Sequence, residues 1–80
     1  KHIRFLRRLV GYGNASALNM LDYLASQQNE LAKRVIATCS AGPFILMAGV
    51  SPSRTEPLEI LADYGNSEAI AYFLNQNNVF

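Results

Sequence analysis

Three carboxylates are the first candidates for chemistry: Asp22, and Glu59 with Asp63 four residues further on. Paired carboxylates at helical spacing could share acid–base work. No histidine, nucleophile turn or phosphate-cradling loop accompanies them, and like charges at i, i+4 usually mark a solvated face. They read as plain solvated surface or as an acidic contact strip, and the chain is expected to bind and not to catalyse. His2 and Cys39, the single histidine and single cysteine, stand far apart without ligand spacing. Neither a metal nor a cofactor is therefore expected, and Cys39 reads as a small core residue. Gly11-Tyr12-Gly13 lacks the third glycine and the preceding strand of a nucleotide loop.

A second kind of chemistry is electrostatic. Lys1, Arg4, Arg7 and Arg8 give the first twenty residues a charge of +4 with no acid, while residues 21–80 hold three bases and six acids, for −3. Set beside Ile3, Phe5 and Leu6, the arginines Arg4, Arg7 and Arg8 could touch nucleic acid or an anionic membrane. The competing reading is that the apolar side packs on the next helix and the arginines stay in water. The overall net charge of +1 supports no argument about the whole chain.

The elements that must position these groups are short helices. Half of the 80 residues are hydrophobic and 16% are charged, which suits one folded domain or part of one and argues against disorder. Apolar residues recur at i, i+3, i+4 in five stripes: Ile3/Leu6/Leu9/Val10, Leu18/Leu21/Leu24/Ala25, Ala32/Val35/Ile36, Leu58/Leu61/Ala62 and Ile70/Phe73/Leu74. Breakers fall between them at Gly11 and Gly13, Gln27 to Asn29, Gly42-Pro43, Gly49 to Pro52 and Gly65-Asn66. Five or six helices joined by tight turns follow. Ser16 is expected to cap the second, Thr55 or Glu56 to open the helix at Pro57, and Asn66 to cap the last. Gly65 suits the left-handed residue that ends a helix. From Val35 to Ser53 nineteen residues carry no charge, long enough to span a bilayer. Gly42-Pro43 interrupts that stretch, so a buried pair of helical segments with a turn is the preferred reading. A lone cysteine fits a reducing compartment, hence an intracellular and cytoplasmic setting. The chain opens on Lys1 and not on methionine, giving the expectation of a piece of a longer protein.

Two segments resemble each other. Residues 21–36 and 58–73 align at an offset of 37, with identities Leu21/Leu58, Leu24/Leu61, Ala25/Ala62, Asn29/Asn66 and Ala32/Ala69. The matches fall on the inward face and the turn, as in stacked repeats whose units cannot bury their own apolar faces. The second unit is similar to an ankyrin repeat. Pro57 and Leu58 fall on that family's Pro-Leu pair, Ala62 on its second alanine and Gly65 on its inter-helix glycine; Glu68, Ile70, Phe73 and Leu74 fall on its second helix and Asn77 on its terminal glycine. Glu59 replaces the family's histidine, Leu61 its first alanine and Asn66 the residue after glycine; in the first unit Met20 replaces proline and Gln28 glycine. The spacing from Gly49 to Pro57 leaves the family's projecting β-hairpin short or missing, and the extra residues near Ser40 to Phe44 give an additional helix.

The resemblance implies an all-α fold of short antiparallel helix pairs stacked as an ankyrin-like α-solenoid fragment, with units near 1–13, 14–48 and 49–80. The alternative is a compact small helical bundle. It also implies a protein–protein interaction module whose partner lies on hairpin tips and inner helices: Ser53, Arg54, Thr55, Asp63 and Tyr64 in the second unit, Ser26 and Gln27 in the first. Asp22 and Glu59 lie on the same inner helices, off the leucine stripes. Tyr64 is the leading anchor, because a tyrosine supplies large contact area at low entropy cost. Flanking repeats or another chain are expected to cover the open ends, and a membrane- or nucleic-acid-contacting domain led by the basic N-terminus is the alternative function.

Overall fold

A computed structural model describes residues 2–51 and 54–77. Six helices follow one another: α1 (His2–Gly11), α2 (Ala15–Ser26), α3 (Glu30–Thr38), α4 (Gly42–Val50), α5 (Glu56–Asp63) and α6 (Ser67–Asn77). Among the described residues there is no strand; between α4 and α5, Arg54 N–H donates to the Ser51 carbonyl at 2.8 Å. Ser53 lies outside the described residues, as do the residues that follow Asn77.

One turn is used three times. After α1, α2 and α5 the chain runs Leu9 to Asn14, Leu24 to Asn29 and Leu61 to Asn66 with the same hydrogen bonds. The asparagine N–H donates to the leucine carbonyl (3.1, 3.2 and 3.0 Å), and the residue before it to the carbonyl three back (2.9, 3.1 and 2.9 Å). This six-residue closure satisfies helix C-terminal carbonyls and demands a left-handed residue before the asparagine. Gly13 (φ 89°), Gln28 (φ 70°) and Gly65 (φ 89°) fill that position. Gln28 thus stands in a glycine's conformation and bears the Cβ strain that glycine avoids. Each asparagine then caps the next helix: Asn14 Oδ1 accepts from Ala17 N–H and Asn29 Oδ1 from Ala32 N–H, both at 3.0 Å.

Two expected caps are corrected. Asn14, not Ser16, caps α2; the left-handed Gly13 lets the new helix start at once, so Ser16 is already inside it. Thr55 stands at the N-cap of α5 but in helical φ/ψ without a side-chain cap; its hydroxyl donates to Glu59 Oε2 at 3.2 Å instead. Gly42 and Pro43 open α4, where proline's missing N–H costs nothing. The helices α3 and α4 meet at a 60° bend; among the described residues no single helix is long and apolar enough to cross a membrane, and only this bent pair reaches that length and composition.

The core is filled by Leu18, Leu21, Ile36, Phe44, Leu58 and Leu61, with Ala17, Ala25, Ala32 and Ala69 where helices approach closely. A further correction concerns α6. Its inward stripe is Ala69, Tyr72 and Phe73, while Ile70 is 38% exposed and Leu74 more so. The cap made by Asn66 fixes the rotation of α6 so that the small Ala69 turns inward and the bulkier Ile70 outward.

α1, α2 and α3 pack as one group; α5 joins it through α2 and α3, and α4 and α6 pack on α5 and on each other. The molecule measures 42 × 20 × 16 Å.

Candidate functional site

The residues singled out in the sequence gather where α2 and α5 meet. Ala15 and Asn19 of α2 line one cleft with Glu56, Pro57 and Ile60 of α5, so the starts of the two helices are level. Farther along, Tyr64 Oη donates to Asp22 Oδ1 at 2.9 Å. The two helices therefore run side by side in the same direction. Residues facing across this seam differ by about one helical turn from those aligned by sequence: Asp22 meets Tyr64, not its counterpart Glu59.

The hydrogen bond places two of the candidate residues in contact, and half-buries both. Burial first, and then the bond to Asp22, hold the Tyr64 phenol above its ordinary value of 10.0. Tyr64 is consequently part of the seam between helices as well as a surface aromatic. Around it the exposed set continues. Asp63 precedes it, Glu59 lies one turn before Asp63, and Thr55 donates to Glu59. On α2, Ser26 lies one turn beyond Asp22 and folds its hydroxyl back onto the Tyr23 carbonyl at 2.6 Å; Gln27 closes the helix as its C-cap. Arg54 is apart from this strip, lining the cleft at the start of α5 and a shallower one against Leu46, Met47 and Val50. With Asp22, Glu56, Glu59 and Asp63 along it, the α2–α5 face is acidic.

Tyr23 was not picked out by sequence reasoning. It is 60% exposed on the solvent arc of α2, between Asn19 and Ser26. Its position off the Leu18/Leu21/Ala25 stripe was the available signal; the repeat alignment hid it by pairing it with Ile60.

The basic segment forms α1. Ile3, Leu6 and Leu9 pack against the core and Val10 is fully buried, while Arg4, Arg7 and Arg8 are exposed. The three arginines line a cleft with Gly11, Cys39 and Ser40. Cys39 is buried, its thiol donating weakly to the Ile36 carbonyl, and burial pushes that thiol above its ordinary value. On the other side of α1, Phe5 and Leu6 border an apolar groove with Met20 and Leu24, reached also by His2. Among the described residues no three of His, Cys, Asp and Glu come together as metal ligands.

Compared with known proteins, the chain matches no protein-family model, no curated protein sequence and no solved structure.

Proposed function

We propose that this chain is a protein–protein interaction module of ankyrin-like helical-repeat type, holding its partner on the face of α2 and α5. The observation that carries this reading is the Tyr64–Asp22 hydrogen bond, which ties the two first helices into one surface. Around that bond, Tyr23, Ser26, Glu59 and Asp63 stand in solvent. Two tyrosines in an acidic strip suit a basic partner surface: the aromatics supply contact area, and the carboxylates steer encounter and fix orientation. The parallel run of α2 and α5 and the recurring Leu-to-Asn turn support the ankyrin-like part of the reading.

The test is site-specific photo-crosslinking in the full protein in its own cells. A photoreactive side chain at position 63 or 26 is expected to yield one discrete protein adduct, and the same group at position 34 or 75 none. Adducts from 34 or 75 with none from 63 or 26 would place the working surface on the opposite side.

A further inference from the structure

We propose that the cleft between α1 and the α3–α4 junction is a binding site for a phosphate monoester dianion. It is an open cleft of about 420 Å³ lined by Arg4, Arg7, Arg8, Gly11, Cys39 and Ser40. It is built from other elements than the α2–α5 face and stands or falls separately from it.

The arrangement follows from helix geometry. Positions 4, 7, 8 and 11 share one face of α1. Three guanidinium groups so spaced repel one another, and α1 carries no acid in its first turn to offset them. Among the described residues the ion pair formed is Lys33–Glu30, and none of the three arginines takes part in one. The opposite wall is Ser40, an exposed residue two positions before α4. The N-terminus of that nine-residue helix is already met by a carboxylate and by Ser40 itself, whose Oγ accepts from Gly42 N–H at 3.4 Å, so the positive field of the cleft comes from the arginines. Gly11 leaves the cleft open at the end of the arginine row, since a Cβ there would meet nothing within 4 Å. The nearest countercharge is Glu68, whose Oε1 is engaged by the Ala41 N–H at 2.8 Å.

This chemistry selects the ligand. Arginine forks bond phosphate oxygens in pairs. A phosphate monoester carries about −1.5 to −2 charges at neutral pH with three acceptor oxygens, whereas a diester offers one charge and two free oxygens. Three guanidiniums with a hydroxyl match the monoester.

The test uses the full chain, titrated at constant ionic strength with inorganic phosphate, phosphoserine and dimethyl phosphate, and followed by amide chemical shifts and melting temperature. Phosphate and phosphoserine are expected to shift the Gly11 and Ser40 amides saturably and to raise the melting temperature, with dimethyl phosphate at least about tenfold weaker. Arg7→Gln with Arg8→Gln is expected to weaken phosphate binding by about tenfold or more. Ser40→Glu, which sets a carboxylate against the arginines without removing them, should do the same if the double variant folds poorly; Arg34→Gln should leave binding unchanged. Absence of saturable shifts, an equal loss in Arg34→Gln, or binding of dimethyl phosphate or phosphatidylglycerol vesicles as tight as that of phosphate would overturn the proposal.

Discussion

The hydroxyl of Tyr64 donates to the carboxylate of Asp22 at 2.9 Å across 42 residues of sequence, and this contact closes the end of the seam between α5 and α2. A typical hydrogen bond contributes about 0.5–1.5 kcal/mol, and solvent screening at this half-buried site holds a bond to a carboxylate near that range. In a double-mutant cycle, Tyr64→Phe and Asp22→Ala are expected to show a coupling of that size by chemical denaturation. Independent, additive effects would mean that the contact contributes nothing to the seam.

The same bond sets a pH dependence. The folded phenol is held above the ordinary tyrosine value of 10.0, by burial and then by Asp22. A group with a raised folded value contributes stability that is fully present below its unfolded value and lost as pH rises through the folded one. The stability difference between the native chain and Tyr64→Phe is therefore expected to be constant below pH 10.0 and to shrink above it. Thermal melts across the alkaline range check the sign.

Among the described residues, Asn66 is the one polar side chain inside the core, 2% exposed. Its Oδ1 accepts from Glu68 and Ala69 N–H, capping α6, and its Nδ2 donates to the carbonyls of Ile36 (3.0 Å) and Cys39 (2.8 Å) at the end of α3. Asn66→Ala removes a cap and leaves two buried carbonyls without that donor, a loss of roughly 2–4 kcal/mol. Asn29→Ala, at the equivalent turn but with only the cap bond, is expected to lose about 1 kcal/mol. Equal losses in denaturant melts would show that the clasp on α3 is idle.

The three left-handed positions should respond in opposite senses. Gln28→Gly relieves Cβ strain and, after the entropy it returns to the unfolded chain, is expected to stabilise by roughly 0.5 kcal/mol. Gly65→Ala should destabilise by about 1 kcal/mol. Gly13→Ala should lose more, because its new Cβ would lie 3.0 Å from Pro43 Cβ. Melting temperatures of the three variants give the order directly.

Much of the helical framework was legible in the sequence, because the Leu18/Leu21/Ala25 and Leu58/Leu61 stripes state which face turns inward and Gly65-Asn66 states where a helix stops. The first of the three turns escaped notice. Leu9 to Asn14 lies 15 residues before Leu24 to Asn29, while the next copy lies 37 beyond it, so a search at one fixed period finds only the latter pair. The rotation of α6 was misjudged for a different reason. Ala69 contributes little to a hydrophobic stripe on the page, yet its size lets the helix approach; Ile70 looked like the better core residue. The pairing of Tyr64 with Asp22 was beyond reach, since it depends on a one-turn slip between parallel helices that no local spacing records. The arginine cleft was half visible: Arg4, Arg7 and Arg8 share a helical face, but the wall supplied by Ser40 comes from a bend at Gly42-Pro43 that brings distant chain beside them.

The central claim is that a partner protein lies against α2 and α5, and the most direct measurement is its affinity, once captured through position 63, for the full protein carrying Tyr64→Ala, Tyr64→Phe, Asp63→Lys or Arg34→Ala. The account predicts that Tyr64→Ala weakens binding by at least about 1 kcal/mol, as a central aromatic anchor would. Tyr64→Phe should retain most of that affinity because it keeps the ring. Asp63→Lys should slow association, most of all at low salt, if a basic surface docks there, and Arg34→Ala should leave the affinity unchanged. A larger loss in Arg34→Ala than in Tyr64→Ala would contradict the account and move the working surface to the back of the helices.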